Sequence, residues 1–498
     1  MSTNRGRRPD VVGLIVAIGV ALVLLVLAWP RVSAPFGDSD EGINAAVWAT
    51  NSRALREDGV VESRLGGRRL DGTSYATHPP FIVVATATAE TLAGEREWAS
   101  RAPAWLASLA AAGLLYALAR SVGVGPPAAA AASAATVLTP MYFTYAFMLD
   151  TPVVSLPFGI AVLLLWSRRW QLPDGQRATP SVITAVACAA AAMAGWQAAV
   201  LVALAAITLI GRGVRGRKSW LGEAAPFVVG GAAGVVLSLG WTWWVYGDFA
   251  TLGDKYFRRS GDSNTVGLDD MLSFQIPWLV QLLGVGIAGL GAGVAALWDR
   301  RARPLAAMSL GIVVLYAVVF RQAAAGHQYW NYWALIPTAV GFAWVFDRLA
   351  RDLPSRAVVP TFLVGCLAIG IVNLTVLDDE ALRYIDDGRE VAELVVEAER
   401  PAGQTTAPYV GPAYRPDAWL RYYTGLAPRQ LATTDDLRAL AAEEPDTVVV
   451  VLGWCQRPDA GLALCREVVG PDAATDGDYV APDPEVVTAR ELAGRGVP

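Results

Sequence analysis

Asp38, Asp40 and Glu41 stand together in the stretch F-G-D-S-D-E-G-I-N-A-A-V-W that begins at Phe36. A partly desolvated carboxylate has a raised pKa and is a better general base toward a hydroxyl. The same residues also suit a helix start, with Ser39 or Asp40 as the cap and the acids facing the helix dipole. Farther along, Y-A-T-H-P-P-F carries His78 and E-W-A-S-R-A-P carries Arg101. Arg101 also fits an ion pair with Glu97 or interfacial snorkelling. Asp150 precedes Thr151-Pro152, where an ionisable residue at the end of an apolar run is a functional candidate and also a good helix start. The segment R-Q-A-A-A-G-H-Q-Y-W-N-Y-W-A-L-I-P holds Arg321, His327 and Tyr332. Its aromatic residues also match an interfacial belt. The chain has only two histidines, His78 and His327. Cationic donors of this kind suit a phosphate. The two histidines could instead join Asp40 or Glu41 around a divalent metal, at long sequence separation. The tail from about Asp378 contains no G-x-G-x-x-G or P-loop pattern and so no nucleotide site, and no nucleotide cofactor is expected.

These residues must be positioned by a membrane-embedded scaffold. Of 498 residues, 54% are hydrophobic and only 17% charged, whereas soluble domains carry about a quarter charged residues. A net charge of -5 and the lack of a basic face argue against a nucleic-acid partner. The first apolar run, Val11 to Trp29, follows Arg5, Arg7 and Arg8. At about nineteen residues it is long for a signal h-region and sufficient to cross a bilayer. Pro35 after Val32-Ser33-Ala34 disfavours cleavage, so the run is read as span one. Further spans are expected near Ala102 to Ala119, Ala128 to Tyr142, Pro152 to Trp166, Val182 to Ala194, Ala198 to Ile210, Pro226 to Tyr246, Ser273 to Leu297, Leu305 to Phe320, Tyr332 to Phe346 and Val358 to Leu377. That makes about eleven, give or take one or two, with the pair around Gly195-Trp196 open to reading as one broken helix.

Charge alternation orients the chain. Arg5/Arg7/Arg8, Arg120, Arg168/Arg169/Arg177, Arg212/Arg215/Arg217/Lys218, Arg300/Arg301/Arg303 and Arg348/Arg351/Arg356 collect on one side, the cytoplasmic one by the positive-inside rule. Every candidate site residue then falls on the other face. Asp40 to Glu57 has helical apolar spacing and is expected to lie along the membrane surface. The domains are read as residues 1–377, membrane-embedded and including the outer catalytic loop 30–100, and residues 378–498, an extracytoplasmic α/β domain of about 120 residues. In that tail Gly388 to Arg400 and Asp435 to Ala442 read as helices, and Thr406 to Val410 and Thr447 to Leu452 as strands. Of the four cysteines, Cys188 and Cys366 read as packing residues. Cys455 and Cys465 can form a disulfide if the tail faces an oxidising compartment.

The order of these features resembles the glycosyltransferase C superfamily. A first span is followed by D-E and an amphipathic helix, then Y-x-x-[HK]-P-P, then E-W-x-x-R-x-P opening the second span. The branch it resembles contains the dolichyl-phosphate-mannose protein mannosyltransferases and the bacterial lipid A aminoarabinose transferases. The resemblance runs through residues 11 to 377 and is most specific from Asp40 to Arg101. It implies an α-helical polytopic membrane protein of glycosyltransferase C type, N-terminus in and C-terminus out, that is multi-pass in a prokaryotic plasma membrane. It further implies transfer of a sugar from a polyprenyl-phosphate donor to a hydroxyl acceptor of the cell envelope, on the extracytoplasmic face, with inversion. Asp40 would be the base, with Asp38 as rival and Glu41 beside it. His78, Arg101, Asp150, Arg321, His327 and Tyr332 would serve donor phosphate or substrate, His78 standing where aminoarabinose transferases carry lysine. The competing readings are a transporter or flippase for polyprenyl-linked glycans and a catalytically silent scaffold. A transporter should show repeat symmetry and access from both faces, whereas the polar groups here concentrate on one.

Overall fold

The computed structural model describes residues 11–37, 39–171, 181–214, 219–260, 266–376, 388–398, 400–411, 416–452, 464–465, 468 and 484–495. Asp38 and Cys455 lie outside the described residues. The chain divides into two compact units. One comprises Met1–Val32, Ser74–Ala85 and Arg101–Asp378, the other Ser33–Thr73, Thr86–Ser100 and Asp379–Pro498. The linear division at residue 377 misses this exchange, because most of the outer loop packs with the tail.

The first unit is a helix bundle. Ala102–Ser121, Thr151–Gln171, Trp196–Val214, Gly222–Tyr246 and Ser355–Asn373 are long and apolar enough to cross a bilayer. Shorter apolar helices include Val11–Leu27, Ser181–Ala194 and Arg303–Val319. Two sequence expectations change. The run read as one span from Ser273 to Leu297 is two helices, Leu268–Leu283 and Gly286–Trp298, bent by 114°. Gly284 has φ +52 there, a conformation open to glycine. Asn373 serves the break: its Oδ1 accepts from Val285 N–H at 3.0 Å and its Nδ2 donates to the Leu138 carbonyl at 2.9 Å. The run from Ala128 to Tyr142 is also interrupted, into Pro126–Val137 and Pro140–Tyr145. Pro140 has no N–H to continue the ladder, and the Thr139 hydroxyl caps the second piece.

The helices flanking Gly195, Ser181–Ala194 and Trp196–Val214, are not one broken rod. On the helix Ser219–Tyr246, Gly230 and Gly234 abut Ala185 and Ala189, while Gly231 abuts Val202. One level of that helix therefore touches residues on both sides of Gly195, which requires a hairpin. Glycines at these contacts let the backbones approach closely.

The second unit is α/β. Its strands are β1 (Thr406–Val410), β2 (Ala427–Gln430), β3 (Val448–Val451) and β4 (Glu485–Thr488) in the order β2-β1-β3-β4. β1 is parallel to β2 and β3, and β4 is antiparallel to β3. Parallel neighbours need crossovers, supplied by Pro416–Thr424 and Thr434–Glu443. Val410, Leu437, Leu440, Val449 and Leu492 form the core under the sheet. Cys465 is buried and disulfide-bonded, while Cys188 and Cys366 are free.

The outer helix runs Asp40–Glu57. It is fastened within this unit by Arg53, whose guanidinium lies 4.4 Å from the Tyr422 ring centroid. Beneath it Glu90 is buried, accepting from Ser52, from Ser100 at 2.6 Å and from Arg56 at 3.0 Å.

Candidate active site

In the second unit, Ser39 rather than Asp40 caps the outer helix, its hydroxyl accepting from Gly42 N–H at 3.0 Å. Asp40 and Glu41 stand half-buried in the first turn. The Asp40 carbonyl accepts from Asn44 Nδ2 at 2.7 Å, but its carboxylate makes no hydrogen bond or ion pair among the described residues. The capping explanation for Asp40 is thereby removed. The chain just upstream is held by the tail, Phe36 N–H donating to the Tyr423 hydroxyl at 2.8 Å and the Phe36 carbonyl accepting from Gly388 N–H at 3.0 Å. Glu97 pairs with Arg389 and accepts from the Tyr423 hydroxyl at 2.9 Å.

In the first unit, two helices pin the loop that presents His78. Tyr246 accepts from Ala76 N–H at 2.8 Å, Thr242 donates to the Ala76 carbonyl at 3.0 Å, and Trp196 donates to the Thr77 carbonyl at 3.0 Å. His78 is 7% exposed and faces Arg259, with Arg259 Nη1 to His78 Nε2 at 3.2 Å. A guanidinium can only donate, so Nε2 accepts and the ring proton sits on Nδ1. Burial, then Arg259, Lys255 and His327, hold the imidazole well below its ordinary pKa. The shift favours the neutral imidazole, whose Nε2 accepts from Arg259.

Arg259 belongs to the helix Ala250–Ser260, between the apolar runs Pro226–Tyr246 and Ser273–Leu297. Burial, with Arg258 and Arg259, also lowers the neighbouring Lys255 ammonium. The guanidinium of Arg259 lies 5.7 Å from the Trp330 ring centroid, and His327 stacks on the same indole at 5.7 Å. His327 Nδ1 is 2.8 Å from the Ala323 carbonyl, which makes it the donor there and leaves Nε2 available. Arg321 makes no hydrogen bond or ion pair among the described residues, and its buried Nε is unpartnered. Asp150 is 6% exposed, its Oδ1 accepting from Thr151 N–H at 2.7 Å. Tyr316 lies within electrostatic reach of both Asp150 and Arg259.

Two expected site residues, Tyr332 and Arg101, are fully buried. Tyr332 is fully buried, its hydroxyl 3.0 Å from Ser108, whose own proton goes to the Ala146 carbonyl at 2.8 Å. Its hydroxyl therefore donates internally. Arg101 is fully buried and donates to the Val32 carbonyl at 3.0 Å. No cluster of three or more His, Cys, Asp or Glu suited to a metal occurs among the described residues.

Residues 77–244 match the family model described as dolichyl-phosphate-mannose-protein mannosyltransferase. No curated protein sequence matches the chain. Among solved structures, ArnT from Cupriavidus metallidurans bound to undecaprenyl phosphate superposes with a TM-score of 0.63 at 19% identity, over 97% of this chain and 98% of that one. The chain has a glycosyltransferase C fold. The archaeal oligosaccharyltransferase AglB from Archaeoglobus fulgidus, in complex with an inhibitory peptide and a dolichol-phosphate, shares this fold with a TM-score of 0.56 at 13% identity, over 97% and 76% of the chains.

Within that glycosyltransferase C fold, the cations that sequence reading passed over are Lys255, Arg258 and Arg259. Their signal was present: three cations between Tyr246 and Ser273, outside the arginine and lysine groups that collect on one side, break the charge asymmetry used to orient the chain.

Proposed function

We propose that the protein is an integral membrane glycosyltransferase that moves a sugar from a polyprenyl-phosphate donor to a hydroxyl acceptor in the cell envelope, on the non-cytoplasmic face. The observation that carries this reading is a cationic cluster, Lys255 and Arg259 with His327, set beside the buried His78. ArnT and AglB, which share the fold, are described with undecaprenyl phosphate and dolichol-phosphate respectively, and a phosphate monoester is the leaving group such a cluster suits.

The chemistry divides among few groups. The acceptor oxygen attacks the anomeric carbon as the bond from that carbon to the phosphate oxygen breaks, and the polyprenyl phosphate leaves with the electron pair. Charge growing on the phosphate is stabilised by Arg259 and Lys255, partly shielded from water, with Arg321 a further donor for it. His78 holds Arg259 in position as a neutral acceptor. Asp40 takes the acceptor proton, being uncommitted to the helix cap; Glu41 and Asp38 are its neighbours in sequence. A single displacement inverts the anomeric centre. If a divalent metal takes part, it would add electrophilic help to the leaving phosphate; no step here depends on it.

The test is transfer of labelled sugar from a panel of polyprenyl-phosphate donors to membrane acceptors, with the anomeric configuration of the product determined by NMR. Transfer with inversion is expected. Transfer with retention rules out the single displacement. Donor movement across vesicles without transfer favours a flippase.

A further inference from the structure

Trp330 stands in the cationic cluster without carrying charge itself. It belongs to the short 3-10 helix Gln328–Ala334, and its backbone N–H donates to the His327 carbonyl at 3.2 Å. That turn folds the indole back onto the imidazole of His327, stacked with centroids 5.7 Å apart. From the helix Arg303–Val319 and the residue that caps it come Tyr316, at 5.2 Å from the indole, and Phe320, at 6.1 Å. The guanidinium of Arg259 lies 5.7 Å from the same ring centroid, within the range of a cation–π contact. One half-buried indole therefore meets a guanidinium from the helix Ala250–Ser260 and an imidazole from its own turn.

Arg259 is held there without a counter-ion. Among the described residues its guanidinium makes one hydrogen bond, to His78 Nε2 at 3.2 Å, and no ion pair. Both supports, an accepting imidazole nitrogen and an indole face, bring no negative charge. A carboxylate in either place would cancel the charge and engage the N–H groups in pairs. A guanidinium has five such groups, so committing one to His78 leaves the others for an anion. His327 is treated alike: Nδ1 donates to the Ala323 carbonyl at 2.8 Å, the ring lies on Trp330, and Nε2 is left. Arg53 and Arg56 show the contrary arrangement, each paired with Glu95 and so fastened but neutralised.

We infer that Trp330 is a positioning residue of the phosphate site, its ring holding Arg259 and His327 so that their remaining N–H and nitrogen groups serve one anion. The inference rests on the polyprenyl-phosphate reading above. Trp330 acts through Arg259 and not on the donor itself. An aliphatic side chain has no ring quadrupole to hold a cation, whereas a phenyl ring keeps part of it.

The experiment measures dissociation constants on the full chain in lipid nanodiscs, with undecaprenyl phosphate and undecaprenol as probes. The two share their hydrocarbon chain and differ in the phosphate, so the ratio of their affinities reports on the phosphate site. Wild type should bind undecaprenyl phosphate about tenfold or more tighter than undecaprenol. Trp330→Leu should lose about fivefold in affinity for undecaprenyl phosphate and none for undecaprenol, and Trp330→Phe should stay within about twofold of wild type. In an Arg259→Gln background, Trp330→Leu should change undecaprenyl phosphate affinity by less than about twofold, because the group it holds is gone. A Trp330→Leu variant that binds undecaprenyl phosphate as wild type does overturns the proposal. So does equal weakening of both probes, which marks a packing role, or a Trp330→Phe variant as weak as Trp330→Leu, or an undiminished effect in the Arg259→Gln background. If wild type binds the two probes alike, the donor reading falls and this inference falls with it.

Discussion

The Tyr423 hydroxyl accepts the backbone N–H of Phe36 at 2.8 Å and donates its own proton to Glu97 at 2.9 Å. A residue of the tail thereby fixes the chain just upstream of Asp38, Asp40 and Glu41, and it does so from a half-buried position beside Arg389, whose guanidinium lies 5.8 Å from its ring. Burial, and then the Glu97 charge, raise the pKa of this phenol, so it keeps its proton across the working range.

Tyr423→Phe removes both bonds without changing the ring. The expected result is a loss of about 1–3 kcal/mol in stability and a lower turnover with donor binding unchanged. Thermal unfolding read beside a kcat and KM split checks this; a change confined to donor KM would contradict a positioning role.

The His78–Arg259 contact gives a pH signature with a definite sign. A histidine whose folded pKa lies below its ordinary 6.5 binds protons less readily when folded. Stability is therefore full above pH about 6.5 and falls as pH drops below it toward the folded pKa, because the unfolded chain takes up the proton first. Unfolding followed between pH 8 and 5 should show this decline in wild type and a smaller one in His78→Gln. Equal slopes would mean that the ring is not held neutral.

Glu90 is a buried carboxylate whose only charged hydrogen-bond partner among the described residues is Arg56. Arg56→Ala leaves it without a counter-ion and should cost about 3–5 kcal/mol. Glu90→Gln keeps acceptors for Ser52 and Ser100, and Arg56 retains Glu95 at 2.9 Å, so its cost should be smaller. Denaturant unfolding of the two variants orders them; the reverse order would show that the pair is dispensable.

Sequence reading found the outer helix Asp40–Glu57 to the residue, because a serine cap, an acidic first turn and helical apolar spacing all agree there. It found β1, β3 and the tail helices Gly388–Glu397 and Thr434–Glu443 from their apolar periodicity, and missed the short helices Pro416–Thr424 and Ala489–Gly494. It missed the bend at Gly284, since hydropathy registers apolarity and not the φ of one glycine or the side chain of Asn373 that satisfies the break. It also missed that the tail clasps the outer loop: Phe36 and Tyr423 are 387 residues apart, and no local pattern links them. Of the site, the residue types at Asp40, Arg321, His327 and Asp150 were legible, but the neutrality of His78 was not, because it depends on burial and on Arg259. Nor was the internal use of the Tyr332 hydroxyl, which depends on Ser108.

Gly159 packs so closely on the Trp333 ring that a Cβ there would overlap it. Gly159→Val must displace the indole and break its bond to the Pro152 carbonyl. Overpacking of this kind costs about 1–3 kcal/mol, and sugar transfer should fall further than stability alone explains. Indole fluorescence and transfer assays at a temperature where the variant stays folded test this; full activity would show that the placement of Trp333 is not needed.

The most direct test of the account is sugar transfer by Asp40→Asn, at equal protein level in membranes, with donor binding measured alongside. A base supplied by one carboxylate is worth about 10²–10⁴ in rate. The account predicts a loss of that order with donor binding unchanged. An Asp40→Asn protein that transfers sugar at the wild-type rate would contradict it and pass the role of base to Glu41, Asp38 or Asp150.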